Sequence, residues 1–95
     1  MKTYPCNAKA TLISIEQIRP VKLTNRGLPR LQGARDDLAS GRALEPVAVF
    51  DYQGRYLLAD GMHRYTAAKE MGLTHLPCVF WPTEEYNLNL EDYVI

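Results

Sequence analysis

Within the run Asp60-Gly61-Met62-His63-Arg64 stand a carboxylate, a glycine, an imidazole and a guanidinium. Ahead of it lies β-prone, apolar Tyr56-Leu57-Leu58-Ala59, and behind it Tyr65, Ala68 and Met71 recur at helical spacing. The run therefore sits where a strand hands over to a helix. The first amides of a helix have no partners within it, and the helix dipole adds partial positive charge, so a phosphate placed there finds ready donors. Gly61, lacking a β-carbon, lets a ligand approach the backbone. Arg64 can grip phosphate oxygens, His63 can donate a hydrogen bond or move a proton, and Asp60 offers a Mg²⁺ ligand or a base. Cations are disfavoured at a helix N-terminus, so two potentially cationic groups there point to an anionic visitor. The same residues also fit a turn glycine, an N-capping aspartate, a structural histidine and a solvated arginine. Spacing alone leaves both readings open.

The elements that must position this run follow from periodicity and breakers. Thr11-Leu12-Ile13-Ser14-Ile15 alternates and reads as a strand, and Glu16 to Pro20 turns out of it. Residues 21–29, with Asn25, Gly27 and Pro29, read as a loop. Leu31, Ala34, Leu38 and Ala39 mark a short helix that Gly41 stops. Pro46-Val47-Ala48-Val49-Phe50, apolar on both faces, reads as a central strand. The turn Asp51-Tyr52-Gln53-Gly54 joins it to Arg55–Ala59 as a hairpin. A helix from Met62 to Met71 ends at Gly72, and Leu76–Trp81 forms a last strand with Pro77 at its entrance or on an edge. The expected fold class is mixed α/β (α+β), with a small mixed sheet. The expected layout is an extension over residues 1–10, a domain over 11–81 and an acidic tail over 82–95. Whether the tail packs is open.

Composition bounds the function. Ninety-five residues suit one domain, and 46% hydrophobic with 23% charged residues is ordinary for a folded protein. No stretch is long and apolar enough for a membrane span, and the N-terminus lacks the apolar core of a secretory signal. The two cysteines, Cys6 and Cys78, have neither metal-ligand spacing nor a disulfide framework, so the expectation is a cytoplasmic protein with reduced thiols. Eleven basic and eleven acidic side chains cancel, against strong nonspecific attraction to nucleic acid. The charges are unevenly spread. Arg19, Lys22, Arg26, Arg30, Arg35 and Arg42 face only Asp36 and Asp37 in their segment, while Glu84, Glu85, Glu91 and Asp92 make the tail acidic. A basic segment of this kind is either a solvated face or an anion-binding one.

Three stretches together carry a resemblance: Ala43 to Val49, Tyr56 to Ala68 through Asp60-Gly61-Met62-His63-Arg64, and Gly72 to Val79. With Ile18-Arg19-Pro20 after the opening strand, the chain from about residue 11 to 81 resembles the ParB/sulfiredoxin superfamily. The resemblance implies a compact α/β fold with a nucleotide phosphate site at the glycine-led helix start. Gly61 and Arg64 fall on the family's glycine and final arginine, and His63 on the histidine of the sulfiredoxin and free-serine-kinase branches. The kinase branch shares Asp60, Gly61, His63 and Arg64, and its acidic residue after the first strand has a neighbour here in Glu16, out of register. A basic residue at the first helix start, Arg30 in this chain, helps bind nucleotide in the family. Partition ParB reads Gly-Glu-Arg-Arg at the motif, so His63 leans away from that branch. The chain also ends at Ile95 without the helix-turn-helix and dimerisation segments of that branch, so a complete centromere-binding protein is not expected. Sulfiredoxin places its cysteine where Met62 stands, and methionine is no nucleophile for that chemistry. Cys78, on a strand, is expected to be a structural thiol.

The expectation is a nucleotide- or phosphate-binding domain for ATP, ADP or CTP, with Mg²⁺ bridging phosphates and no metal held by the protein alone. Gly61, His63, Arg64 and Arg30 would hold phosphate, with His63 and Asp60 the catalytic candidates if turnover occurs. One alternative is a DNA-associated regulator or nuclease, favoured by the basic segment. Another is a non-catalytic module that binds a protein partner. The scaffold alone does not choose the reaction.

Overall fold

The computed structural model describes residues 1–22 and 29–95, so Asn25, Arg26 and Gly27 of the expected loop lie outside the described residues. In chain order the elements are β1 (Thr11–Ser14), a 3₁₀ turn (Ile15–Gln17), β2 (Ile18–Arg19), α1 (Leu31–Ala39), β3 (Val47–Tyr52), β4 (Arg55–Asp60), α2 (Met62–Glu70) and β5 (His75–Phe80), followed by 3₁₀ turns at Thr83–Glu85 and Leu90–Asp92. The strands form one five-stranded mixed sheet in the order β1-β5-β3-β4-β2. The doubly apolar strand β3 lies at its centre, antiparallel to β4 and parallel to β5. Short β2, which the sequence reading folded into a turn, pairs parallel to β4 through Ile18–Tyr56 and Arg19–Leu57. Pro77 occupies neither an edge nor a strand entrance, because β5 runs between β1 and β3. Its missing N–H is tolerated there because the ladder to β3 begins one residue later, at Val47 opposite Cys78.

Alternation along the strands splits the apolar residues between two faces. Val47, Val49, Leu58, Leu76 and Ile13 turn toward the helices, where Ala34 and Leu38 of α1 and Tyr65, Ala67 and Ala68 of α2 close the main core. Ala67 and Ala68 are fully buried while Met71, expected on the same apolar face, is 46% exposed. The helix ends at Glu70, before Met71 can return to the sheet, and two alanines let α2 approach it closely. Gly41 and Gly72 both have positive φ just after their helices, as expected of C-terminal stops.

The opposite face buries Phe50 and Leu57 under the C-terminal residues, with Tyr93 buried and Trp81, Leu88 and Leu90 packed against them. Residues 82–95 therefore cover a sheet face. The N-terminal residues also pack. Tyr4 is buried and donates its hydroxyl to the Glu45 carbonyl at 2.6 Å. Cys6 bridges to Leu44, and the Lys2 carbonyl accepts from the amides of Thr74 and His75. Among the described residues no helix is long and apolar enough to cross a membrane.

Candidate functional site

The handover from β4 to α2 is shaped by a register shift and by a glycine. Ala48 pairs with Asp60, but its neighbour Val49 pairs with Leu58, which leaves Ala59 as an extra residue in β4. Such a bulge bends the strand and re-aims its end. Gly61 then adopts φ +103°, a conformation that L side chains rarely take. A β-carbon here would come 2.7 Å from Cγ1 of Val47. Glycine is therefore demanded by its own backbone and by packing against β3, a reason different from room for a ligand.

Gly61 caps α2 without a side chain, and the first turn holds no acid. The first intrahelical bond runs from the Tyr65 amide to the Gly61 carbonyl at 2.8 Å, so the amides of Met62, His63 and Arg64 precede it. These donors border a cavity of about 510 Å³, lined from β4 by Leu58, Ala59 and Asp60, from α1 by Gly33, Ala34 and Asp37, and by Val21, Arg30 and the α2 start. Every residue singled out for the site (Arg30, Asp60, Gly61, His63 and Arg64) lines this one cavity. Glu16, weighed as an acidic counterpart, sits exposed in the 3₁₀ turn and is absent from the lining.

Each side chain is held differently. Arg64 donates from Nη1 to the carbonyls of Glu45 at 2.6 Å and Pro46 at 3.3 Å. One edge of its guanidinium thus ties α2 to the entry of β3, offsetting an unfavourable cation at the helix N-terminus. The guanidinium also lies against the Tyr4 hydroxyl, where its charge and hydrogen bond work against the rise that burial gives that phenol. Nε2 of His63 is shielded from solvent and has no hydrogen-bond partner among the described residues. A buried polar nitrogen of that kind is costly unless something completes it. Arg30 immediately precedes α1 and is exposed. Of the other basic residues, Arg35 pairs with Glu70 at 2.8 Å and Arg42 with Asp37, so two charges of the segment are met by carboxylates.

Two lining residues carried little sequence signal. Asp37 was visible only as a counter-charge in the basic segment, and Val21 only as part of a loop. Gly33 gave a usable clue, since a glycine inside a helix weakens it. Nothing lies within 4 Å of where its β-carbon would stand.

No family model and no curated protein matches the chain by sequence. Solved structures do match. A free serine kinase in complex with AMP superposes with a TM-score of 0.63 at 20% identity, over 82% of this chain and 33% of that one. Sulfiredoxin from Arabidopsis thaliana gives 0.62 at 25% identity over 79% of this chain and 90% of its own. The C-terminally truncated chromosome-partitioning protein ParB from Caulobacter crescentus, complexed to the centromeric parS site, gives 0.56 at 21% identity over 77% of this chain and 39% of that one. The chain has the ParB/sulfiredoxin fold. It spans about a third of the length of the free serine kinase. Met62 lines the site cavity. Cys78 is buried, donates to the Leu76 carbonyl at 3.3 Å, and has its thiol pushed up to about 12 by burial. A thiol so hard to ionise is a poor nucleophile.

Proposed function

We propose that this domain binds a nucleotide by its phosphates, with ADP or ATP as first candidates and CTP as the pyrimidine alternative. One observation carries the reading: Arg30, His63, Arg64 and the uncapped start of α2 all line a single cavity of about 510 Å³. The amides of Met62, His63 and Arg64 supply donors along the helix axis, where partial positive charge favours phosphate. Arg30 closes on the phosphates from just ahead of α1, and the Arg64 guanidinium adds a charge-assisted contact. The free-serine-kinase relative, solved with AMP and in a mutant form with ADP, supports this assignment.

The carboxylates on the cavity are Asp37 and Asp60. Among the described residues no group of three or more metal-ligating side chains gathers. Mg²⁺ would be held there mainly by phosphate oxygens and water, with Asp60 as a protein ligand. Bound there, Mg²⁺ would neutralise phosphate charge. His63 and Asp60 are the groups positioned to move a proton if the bound nucleotide is hydrolysed or transfers phosphate.

Isothermal titration with ATP, ADP, CTP and GTP, with and without Mg²⁺, tests the reading. Heat from at least one of them, reduced in Arg30→Ala and in His63→Ala, is expected. No heat from any, or heat indifferent to both substitutions, overturns it. A gel shift and a plasmid-nicking assay on the same protein and on Arg64→Ala address the DNA-associated alternative.

A further inference from the structure

The C-terminal residues do more than cover a sheet face. Tyr93 forms an antiparallel bridge with Val21. On either side of it the Lys22 amide donates to the Asp92 carbonyl at 2.9 Å, and the Val94 amide donates to the Pro20 carbonyl at 2.8 Å. This short ladder continues the line of β2 beyond Arg19. The Tyr93 side chain anchors it, being only 8% exposed in the cluster with Phe50 and Leu57. Val21 also lines the site cavity. The backbone of one wall residue is thus held by the C-terminal strap, and the strap by the face of the sheet opposite the helices.

Resting on the nucleotide reading, we infer that residues 92–94 act as a positioning strap, fixing Val21 against the bound nucleotide so that strap docking and nucleotide binding reinforce one another. The physical basis is reciprocity. If a docked strap favours the wall conformation that contacts the nucleotide, the nucleotide must favour the docked strap by the same factor. Val21, 37% exposed without ligand, has apolar surface left for such a contact. Val94 is half exposed, so its amide bond to Pro20 can be removed without opening the core.

The test uses the full chain in two variants. Val94→Pro deletes the amide that reaches Pro20, and Tyr93→Ala deletes the anchor. Both are checked for native secondary structure by circular dichroism, and each is titrated with ADP and ATP. Tyr93→Ala is expected to weaken binding about fivefold or more, in the usual range of coupling between sites, and Val94→Pro in the same direction. In the intact protein, hydrogen exchange at the Lys22 amide is expected to slow when nucleotide is added, a readout that a purely structural strap would not move. Should Tyr93→Ala fail to fold, Val94→Pro and the exchange measurement decide. Unchanged affinity in a folded variant together with unchanged Lys22 exchange overturns the strap while leaving nucleotide binding intact. An intact chain that binds no nucleotide overturns both.

Discussion

Replacing Gly61 with alanine isolates the turn on which the site depends. Two penalties add. An alanine at φ +103° occupies a region disfavoured for L residues by roughly 1–2 kcal/mol. Its β-carbon would then lie 2.7 Å from Val47 Cγ1 and 3.0 Å from Val47 Cβ, the closer contact about 1 Å inside normal carbon–carbon separation. Overpacking of a filled site typically costs about 1–3 kcal/mol. Together Gly61→Ala should lose roughly 2–5 kcal/mol, a large share of the stability of a small domain. Val47 is 1% exposed on the central strand and packed within the main core. Urea unfolding followed by circular dichroism measures the loss. Adding Val47→Ala removes Cγ1 but neither Cβ nor the unfavourable φ. The double mutant should therefore be less destabilised than the sum of the singles by about 1–2 kcal/mol, a coupling expected only of residues in contact. A single-mutant loss below about 1 kcal/mol, or a cycle with no coupling, refutes the argument that packing against β3 sets Gly61.

Gly33→Ala should act in opposite directions on stability and binding. In the middle of α1 it should stabilise by about 0.4–1 kcal/mol, while its methyl group enters the cavity lining and weakens nucleotide binding; thermal melts and titration of the same sample read both, and unchanged affinity refutes the cavity-facing assignment. Arg64→Lys keeps the charge, yet an ammonium cannot hold the Glu45 and Pro46 carbonyls while offering a second edge to phosphate, so affinity should fall, and full retention would remove Arg64 from the phosphate contacts. Stability should decline in alkali: burial raises Cys78 from 9.0 to about 12 and also raises Tyr4 and Tyr93. These groups are neutral when protonated, so the unfolded chain loses its protons first and stability falls as pH climbs above the unfolded pKa values. Cys78 alone should account for about 1.4 kcal/mol at pH 10, and Cys78→Ala should flatten the urea midpoint between about pH 9 and 11; an unaltered slope would mean that the thiol ionises freely in the folded protein.

Much of the fold was legible because its signals are local. The doubly apolar run Val47–Phe50, the turn at Gln53-Gly54, and the stops at Gly41 and Gly72 each encode their geometry within a few residues. The site motif was legible for the same reason, since Asp60 to Arg64 are contiguous and a strand-to-helix handover fixes where their backbone donors point. Two-residue β2 was not, because Ile18-Arg19 is a strand only through its pairing with Tyr56 and Leu57. Tyr4 gave no periodic signal, and its burial depends on a carbonyl 41 residues away.

The sequence by itself determined the order of elements, the glycine-led turn and the kinds of side chain beside it, all consequences of short-range sterics and periodicity. Tertiary structure alone decided what those side chains do. It brought Arg30, just ahead of α1, to the cavity that the start of α2 lines, tied Arg64 to the entry of β3, left His63 Nε2 without a partner among the described residues, and brought the C-terminal residues to the wall at Val21. These are contacts between segments distant along the chain. Chain closure and core packing set them, and no local pattern records them.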